Sequence, residues 1–317
     1  MKRLRRSHLA WLAALVPLAI VLVSIAFGIA WLTAPSVSGL GARVRMLDRA
    51  NGSTPVRLAA VAPVMREAVV ATEDERFYRH DGIDVIGILR AVPYDVSHFS
   101  LAEGASTITE QLAKLVYLGG NDHNPWAKLR DAAIALRIEG AYSKDQILQD
   151  YLNTVYFGAG AYGIEAASRR YFGVDASKLD LAQATLLAGL IQDPSADQPY
   201  ADPADTRQRQ ADSLASMVRD GYATVHDARA AAGEPLRLAH GPPLAPLGHI
   251  DLKRESLFDW AELAVGAAVL LLGIAGFVLI RRYRPRMARA MLFSSRLAAL
   301  ILVVAGTLIA FASLRGA

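Results

Sequence analysis

The chain has 317 residues, 53% of them hydrophobic, and its mean hydropathy is +0.25. That hydrophobic share is high for a soluble protein, and three apolar segments account for the excess. The absence of cysteine excludes disulfides, thiolate chemistry and cysteine-ligated metals. The net charge of +4 arises from Lys and Arg clusters beside the apolar segments, so it suits anionic lipid and requires no nucleic acid as a partner.

The first apolar segment covers residues 9–33, and no Asp, Glu, Lys or Arg lies between Arg6 and Arg43. It is long enough to cross a bilayer as a helix. A cleaved signal peptide is the alternative, but its apolar region is normally about half as long. We therefore predict that residues 1–33 form a cytoplasmic arm and a retained transmembrane anchor.

Two further apolar segments lie near the C-terminus, at residues 263–280 and 297–313. Each is close to the minimum length of a spanning helix, and packing as two buried core helices is the alternative. Arg-rich sequences precede the first apolar segment ("MKRLRR") and separate the last two ("RRYRPRMARAMLFSSR"). The positive-inside rule puts both clusters in the cytoplasm, which leaves roughly residues 34–260 outside. We predict a transmembrane hairpin over 257–317 in a multi-pass membrane protein.

Between the membrane segments, the sequence predicts a lead-in over 34–59, a helical domain over 60–232 and a linker over 233–256. The lead-in is expected to be extended, with a turn at "RANGST", and the linker is rich in proline and glycine. Strand signals are few, so a mainly α fold is predicted. The predicted helices lie in "PVMREAVVATEDERF", "AKLRDAAIALRIEGAY", "SKDQILQDYLNTVYFG", "LDLAQATLLAGLIQDP", "ADTRQRQADSLASMVRDGY" and "TVHDARAAAG".

Two of these helices have recognisable start signals. Pro63 stands near the first turn of the first helix, where proline is tolerated. Ser143 fits an N-cap, and Gln146 three residues later completes a capping box. The apolar positions of that helix recur at helical spacing and are expected to face a core: Ile147, Leu148, Tyr151, Leu152, Val155 and Tyr156.

Two stretches of the predicted helical domain contain candidate catalytic or binding side chains. "TEDERFYRHDGID" (72–84) crowds ionisable side chains around two aromatic residues, although a solvated helix end is the commoner explanation for such a segment. "EGASTITEQLAK" (103–114) places hydroxyl residues before a helix that carries Gln111 and Lys114. Its backbone N–H groups and the lysine could receive phosphate oxygens, although Ser and Thr are also ordinary caps.

Two later stretches have equally ordinary alternatives. In "AKLRDAAIALRIE", Lys128 and Asp131 lie at i, i+3 on one helix face with Arg130 beside them, which is typical of a surface ion pair. "YLNTVYFGAGAYGIEAASRRYFG" groups aromatics, glycines and Asn153, and core packing alone could explain it.

Taken in this order, the stretches resemble the motifs of peptidoglycan glycosyltransferase family 51, which includes monofunctional transglycosylases and class A penicillin-binding proteins. The first motif, Glu-Asp-x-x-Phe-x-x-His-x-Gly, is present as Glu73, Asp74, Phe77, His80 and Gly82. The second, Gly-Gly-Ser-Thr-x-Thr-Gln-Gln-x-x-Lys, corresponds to Gly104, Ala105, Ser106, Thr107, Thr109, Glu110, Gln111 and Lys114. The fourth and fifth match "ILQDYLNTVYFGAGAYGIEAASRRYFG" and "LLAGLIQDPSADQPYADP", so the resemblance covers about residues 60–220.

The resemblance implies a mostly α, lysozyme-like domain that polymerises lipid II. The 4-hydroxyl of an acceptor joins the anomeric carbon of the donor chain, and undecaprenyl pyrophosphate leaves with inversion. Glu73 would be the general base that takes the hydroxyl proton, and Asp74 and any apolar surround would raise its pKa. Asp131 would be the second catalytic carboxylate. His80 and Phe77 look like structural supports of the loop.

The resemblance also implies a binding surface for the substrate and its pyrophosphate. Lys114, Lys128, Ser106 and Thr107 would receive the pyrophosphate, with Mg²⁺ as a candidate cofactor. No metal ligand is certain, and no organic cofactor is implied. The substrate-binding residues implied by the resemblance are Asp74, Phe77, His80, Gly82, Ser106, Thr107, Gln111, Lys114, Lys128, Arg130 and Asn153.

Two motifs depart from the family pattern. In the third, Arg-Lys-x-x-Glu, Ala127 stands in place of Arg and Asp131 in place of Glu. The shorter carboxylate matters because a misplacement near 1 Å can cost about a hundredfold in rate. Arg130, about one turn after Ala127, could partly restore the missing cation. In the second motif, Ala105 replaces Gly, and Glu110 replaces Gln and adds negative charge near the pyrophosphate.

The sequence thus predicts a peptidoglycan glycosyltransferase without a transpeptidase domain, since neither Ser-x-x-Lys nor Lys-Thr-Gly occurs. The altered third motif favours an alternative, a non-catalytic member that binds lipid-linked precursor or scaffolds cell-wall synthesis. A glycan-cleaving muramidase is a third hypothesis, but it needs neither a lipid anchor nor phosphate-binding lysines.

The expected partners are lipid II, the growing lipid-linked glycan chain and the membrane. The C-terminal hairpin is expected to contact other membrane proteins of cell-wall synthesis through small residues such as those in "AVGAA". The expected location is the bacterial cytoplasmic (inner) membrane, with a cytoplasmic N-terminus and an extracytoplasmic catalytic domain.

Overall fold

The computed structural model describes residues 21–88, 106–119, 124–194, 199–248, 250 and 252. The chain divides into two compact units. The first comprises 1–33, 85–102 and 255–317, of which 21–33 and 85–88 are described and helical. The second comprises 34–84 and 103–254, and it contains all of the predicted site residues.

The membrane topology stays a prediction. Within the described ranges, no helix is both long and apolar enough to cross a bilayer. The helical residues 21–33 are the end of the predicted anchor, whose earlier part lies outside the described residues. The two predicted spans at 263–280 and 297–313 lie outside them as well.

The second unit is built from helices, which confirms the mainly α prediction for the described residues. The helices are α1 (Leu40–Asn51), α2 (Pro63–Glu73), α3 (Ile108–Ala113), α4 (Pro125–Glu139), α5 (Lys144–Thr154), α6 (Ile164–Phe172), α7 (Leu181–Leu190), α8 (Pro203–Arg219) and α9 (Val225–Gly233). Short 3-10 helices cover Leu58–Ala60, Phe77–Arg79 and Ala176–Lys178, and a π-helical turn covers Lys114–Leu118. Extended pairing among the described residues amounts to two isolated bridges, Tyr156 with Tyr162 and Leu236 with Leu244.

Helix α1 lies where the sequence predicts extended structure, so that prediction is wrong. Leu40, Val44 and Asp48 recur at four-residue spacing and are buried on one face of the helix. The acidic residue in this stripe hides the apolar period in the sequence. Gly52 ends the helix at φ 66°, and the Ser53 N–H donates to the Asp48 carbonyl at 2.8 Å. The predicted turn at "RANGST" is therefore the C-terminal cap of a helix.

The start signals of α2 and α5 are confirmed. Pro63 is the first residue of α2. At α5, the Gln146 N–H donates to the Ser143 hydroxyl at 3.3 Å, and the Ser143 N–H donates to the Gln146 side chain at 3.0 Å. This reciprocal capping box satisfies two donors that the helix itself cannot.

Five of the six apolar residues predicted to face the core from α5 are buried: Ile147, Leu148, Tyr151, Leu152 and Val155. Tyr156 is only half-buried, since α5 ends at Thr154 and the chain turns away from the helical path. Tyr156 instead forms an isolated bridge with Tyr162, and their rings lie 4.5 Å apart.

One hydrophobic core holds the elements that carry the first two motifs. Helix α2 packs against α7 and α8, while α3 packs against α4 and α5. The Thr72 and Ser213 hydroxyls share a hydrogen bond of 2.7 Å between α2 and α8. Because the same core includes residues of α2, α3 and α5, it brings the end of α2 beside α3.

The lead-in is fastened to α5 by side chains that imitate backbone pairing. The Asn153 side chain accepts from the Val56 N–H and donates to the Val56 carbonyl, both at 2.9 Å. The Gln149 side chain accepts from the Leu58 N–H at 3.0 Å. These bonds replace partners that a neighbouring strand would have supplied.

The described part of the predicted linker packs on the helical unit. Leu236 and Leu244 are buried in the main core and exchange two backbone hydrogen bonds, of 3.0 and 2.8 Å. Leu252 is buried with residues of α8 and α9 in a smaller cluster. The prolines and glycines of this segment allow sharp turns, and the segment still packs against the domain.

A buried carboxyl on α1 predicts a specific dependence of stability on pH. The Asp48 side chain is 3% exposed, and its oxygens have no hydrogen-bond partner among the described residues. Burial raises the pKa of Asp48, and nearby Ser53 lowers it by less. Burial, followed by the Asp48 charge, raises the pKa of half-buried Asp150 on α5 to about 6. Ionisation of either group therefore costs stability as the pH rises above about 4.

We expect Asp48→Asn to stabilise the protein at pH 8, raising the melting temperature by about 2–4 °C. The effect should nearly vanish at about pH 2.5, well below the ordinary Asp pKa of about 3.9, where Asp48 is protonated in both the folded and the unfolded chain. Thermal unfolding followed by circular dichroism at the two pH values measures it. Asp212→Asn is the control, since Asp212 is exposed and should give no pH-dependent difference. Equal effects of Asp48→Asn at both pH values would contradict the argument.

Candidate active site

The site centres on Glu73, the last residue of α2. Its Oε2 accepts a hydrogen bond of 2.7 Å from the Gln111 side-chain amide on α3. Its Oε1 is buried and has no hydrogen-bond partner among the described residues. Burial raises the pKa of Glu73 to about 7, the Gln111 bond lowers it, and the Asp74 charge raises it. A carboxyl with this pKa can accept and release a proton near neutral pH.

Asp74 ties the end of α2 to the start of α3. Its Oδ2 accepts from the Ile108 N–H at 3.0 Å, and its carboxylate contacts His80 Nε2 at 2.9 and 3.1 Å. His80 Nδ1 accepts from the Gly82 N–H at 3.2 Å, so the ring proton belongs on Nε2, facing Asp74. His80 therefore orients Asp74, in keeping with the structural role that the resemblance implies.

Gly82 occupies a position that no other residue could take without displacement. Its φ is +94°, and a Cβ there would lie 3.0 Å from Glu139 Cγ and 3.1 Å from the Ala135 carbonyl. The Gly82 carbonyl accepts the Thr107 hydroxyl at 2.7 Å. The turn after the first motif thus packs against α4, and its carbonyl holds Thr107, the N-cap residue of α3.

Thr107 and Glu110 form a capping box at the start of α3. The Thr107 N–H donates to Glu110 Oε2 at 2.9 Å, and the Glu110 N–H donates to the Thr107 hydroxyl at 3.1 Å. Thr107 is 2% exposed. Both its hydroxyl and its N–H are thus engaged within the protein, so in this state they do not present donors to a pyrophosphate.

Glu110, which stands where the resembled family has Gln, is buried at the same cap. Burial raises the pKa of Glu110 to about 7. The Thr107 N–H and the Lys128 charge lower that pKa, while Asp131 and Asp74 raise it. The carboxyl therefore serves as a cap whose charge is partly neutralised near pH 7.

Helix α4 brings Lys128 and Asp131 to the same site. Lys128 is exposed, and its ammonium donates to the Ser106 hydroxyl at 2.6 Å. Asp131, one turn later, is 5% exposed and interacts electrostatically with Glu110. The predicted cation and the second predicted carboxylate therefore lie on one helix, with the cation at the surface and the carboxylate buried.

A cluster behind Phe77 was not predicted from the sequence. The Lys144 ammonium lies 4.4 Å from the Phe77 ring centroid and donates to Glu139 at 2.7 Å. The Glu139 carboxylate also accepts the Thr109 hydroxyl at 2.5 Å. This cluster joins α3, α4 and α5 behind the first motif. Charged residues at helix ends are ordinarily solvated, so the spacing of these residues in the sequence does not predict that they are buried.

The hydrogen bonds join many, but not all, of the predicted site residues. Glu73, Asp74, His80, Gly82, Thr107 and Gln111 form one connected set, in which the Gln111 N–H donates to the Thr107 carbonyl, and Ser106 pairs with Lys128. Asn153 faces Val56, away from this set. The side chains of Lys114 and Arg130 make no hydrogen bond or ion pair within the described ranges and stay available for a ligand.

Among its described residues, the site shows no set of side chains that would hold a metal ion by themselves. Over the described parts of the chain, no group of three or more His, Asp or Glu side chains could hold a metal ion. Glu110 Oε2 is taken up by a backbone N–H, and Glu73 Oε2 by an amide.

These contacts define a helical domain in which a carboxyl, Glu73, is held by an amide, and a surface lysine, Lys128, is bonded to a hydroxyl. A family model described as transglycosylase matches residues 41–218, and the chain belongs to this family. A protein of Cupriavidus necator, provisionally named as a transglycosylase, is 47% identical over 171 residues, which are 54% of this chain and 73% of the relative.

Larger relatives match about three fifths of this chain. Penicillin-binding protein 1A of Neisseria flavescens is 38% identical over 62% of this chain, and penicillin-binding protein 2D of Bacillus subtilis is 41% identical over 57%. The matched regions cover 25% and 26% of those proteins. A crystal structure of penicillin-binding protein 1A from Haemophilus influenzae matches 59% of this chain and 18% of its own, with 21% identity and a TM-score of 0.37, which is too low to assign a fold.

Proposed function

We propose that the protein is a peptidoglycan glycosyltransferase that polymerises lipid II. Membership of the transglycosylase family supports glycosyl transfer in general. The observation that carries the proposal is the Glu73 carboxyl, which is held by Gln111 and has a pKa of about 7. A sugar hydroxyl is a poor nucleophile near neutral pH unless such a base takes its proton.

The proposed step balances in atoms and charge. The acceptor's 4-hydroxyl oxygen forms a bond to the anomeric carbon of the donor, and its proton passes to Glu73. The Glu73 carboxylate keeps free lone pairs for this proton, since Gln111 occupies only one of those on Oε2. The bond from the anomeric carbon to the pyrophosphate oxygen breaks on the opposite face, which accounts for inversion. The electron pair leaves with undecaprenyl pyrophosphate.

The leaving pyrophosphate gains negative charge, and Lys128 and Lys114 are the cations that would stabilise it. Lys128 is exposed and bonded only to a hydroxyl among the described residues, so its ammonium can turn to a phosphate oxygen without losing an ion pair. Lys114 follows α3 and is available in the same way. Cations that lie where negative charge develops lower the barrier to the reaction.

We expect turnover of lipid II to rise with pH through about 7, because the base must be ionised to work. The rate should fall about tenfold per unit well below that pKa. A pH profile of kcat/KM from pH 5 to 9 measures this limb. Since the pKa of Glu110 is also about 7, Glu110→Gln is the control. Glu110→Gln keeps an acceptor for the Thr107 N–H and should leave the acidic limb of the profile unchanged. Loss of that limb in Glu110→Gln would show that Glu110, and not Glu73, causes it.

Two substrates separate the proposal from its alternatives. The purified protein should elongate lipid II and should not cut finished glycan strands. Cleavage of finished strands would instead identify a muramidase. Tight binding of a lipid II analogue or of moenomycin, without turnover, would identify the non-catalytic binder that the altered third motif favours.

A further inference from the structure

A fully buried tyrosine lies behind the Glu73–Gln111 pair. The Tyr151 hydroxyl donates to Gln111 Oε1 at 2.7 Å, while Gln111 Nε2 donates to Glu73 Oε2 at 2.7 Å. Tyr151 is 0% exposed. Periodicity along α5 predicts it only as a core residue, and nothing in the sequence distinguishes a core tyrosine from one that orients a polar neighbour.

The three side chains fix one another's orientation. An ionised carboxylate can only accept hydrogen bonds, so Gln111 must present its amide N–H to Glu73. The amide oxygen then faces Tyr151, which has an O–H to donate. A flipped amide would leave the buried Tyr151 proton without an acceptor among the described residues, and burial makes such a loss costly. Tyr151 therefore opposes the flip.

We propose that Tyr151 is a positioning residue for Glu73: its hydroxyl holds the Gln111 amide so that the N–H, and not the oxygen, faces the carboxylate. This rests on the proposed function of Glu73 as the base. The arrangement favours the ionised base that starts each turn. Without the hydroxyl, the amide could turn its oxygen toward a protonated Glu73 and accept the carboxyl proton, which would favour the inactive form.

The surroundings of Glu73 are consistent with this role. Its interacting titratable groups among the described residues are Asp74, adjacent in the chain, and Tyr151 on α5. Asp74 is engaged by His80 and by the Ile108 N–H, so it is held in place independently of Gln111. Burial and the two carboxylates raise the pKa of Tyr151 well above its usual value, which keeps the hydroxyl protonated throughout the working range.

The test compares Tyr151→Phe with Tyr171→Phe in the full-length protein. Tyr171 is an equally buried tyrosine whose hydroxyl donates to the Phe157 carbonyl at 2.8 Å. The readout is the titration of Glu73 by carbon-13 NMR of labelled glutamate carboxyls, with the signal assigned by its absence in Glu73→Gln. We expect Tyr151→Phe to raise the pKa of Glu73 by about 0.5–1 unit and to move the acidic limb of turnover equally. Tyr171→Phe should move neither.

A second route covers the case in which Tyr151→Phe fails to fold. Gln111→Leu breaks the chain of bonds at the amide and should also raise the pKa of Glu73. The double variant should then add no further shift, because the tyrosine acts only through the amide. A folded Tyr151→Phe protein with an unchanged Glu73 titration would overturn the proposal. So would equal shifts in Tyr151→Phe and Tyr171→Phe.

The titration also separates this inference from the proposed function. A protein that does not turn over lipid II still has a measurable Glu73 pKa. Absent turnover with a shifted titration would therefore refute the polymerase and leave the positioning role standing. Normal turnover with an unchanged Glu73 titration would refute the positioning role and leave the polymerase standing.

Discussion

Glu73→Gln should reduce glycan formation from lipid II by about 10²–10⁴-fold, the range expected when a general base is removed. The amide cannot take the acceptor's proton, although it has nearly the same shape and can still pair with Gln111. Binding of a lipid II analogue should persist, since no cation is lost. Initial rates with labelled lipid II, together with binding of the analogue, measure the two effects separately.

Glu75→Gln is the matched control for this change. Glu75 is half-buried two residues later, and it pairs with Arg219 at 3.5 Å outside the connected set around Glu73. The same loss of charge there should change the rate by less than about threefold. A Glu73→Gln protein that keeps wild-type turnover, or a Glu75→Gln protein that loses it equally, would remove Glu73 from the mechanism.

Gly82→Ala should destabilise the domain by about 2–6 kcal/mol, because two costs add. An alanine at φ +94° is strained by about 1–3 kcal/mol. Its methyl group would also press on the Glu139 side chain and the Ala135 carbonyl of α4, which costs about 1–3 kcal/mol more. The Gly82 carbonyl would shift away from Thr107, so turnover should fall as well.

Gly52→Ala isolates the strain from the overlap. Gly52 has φ +66°, and a Cβ there would meet nothing within 4 Å. It should therefore cost only about 1–2 kcal/mol and leave turnover intact. Urea unfolding followed by circular dichroism gives both values. Equal destabilisation by the two substitutions would show that the contact with α4 does not hold the turn.

Local signals in the sequence were good predictors where backbone chemistry decides the structure. Pro63 marks a helix start because it has no N–H to leave unsatisfied in the first turn. Ser143 and Gln146 mark another because their side chains accept N–H groups that the helix leaves unpaired. The apolar residues of α5 mark a buried face because their spacing matches the helical repeat. These effects act within a few residues, so they are visible in the sequence.

Features that depend on tertiary contacts could not be predicted in this way. The stripe of α1 includes Asp48, whose burial interrupts the apolar period that would have indicated a helix. Glu110 was expected to add charge at a pyrophosphate site, but it caps Thr107 in a buried setting that raises its pKa. Tyr151 orients Gln111 only because α3 and α5 pack together.

Asp131 is the residue on which the central claim depends, because it is shorter than the glutamate of the resembled motif. It is buried on α4, one turn after Lys128. The loss of the motif's Arg at Ala127 leaves Lys128 and Arg130 as the nearby cations of this helix. The retained charge favours a working site.

The most direct measurement is gel electrophoresis of glycan chains formed from lipid II by the purified full-length protein, run beside its Asp131→Glu variant. We predict that the wild-type protein produces a ladder of chains. A silent wild type beside an Asp131→Glu variant that makes chains would contradict the account, and would identify a protein that binds the precursor without polymerising it.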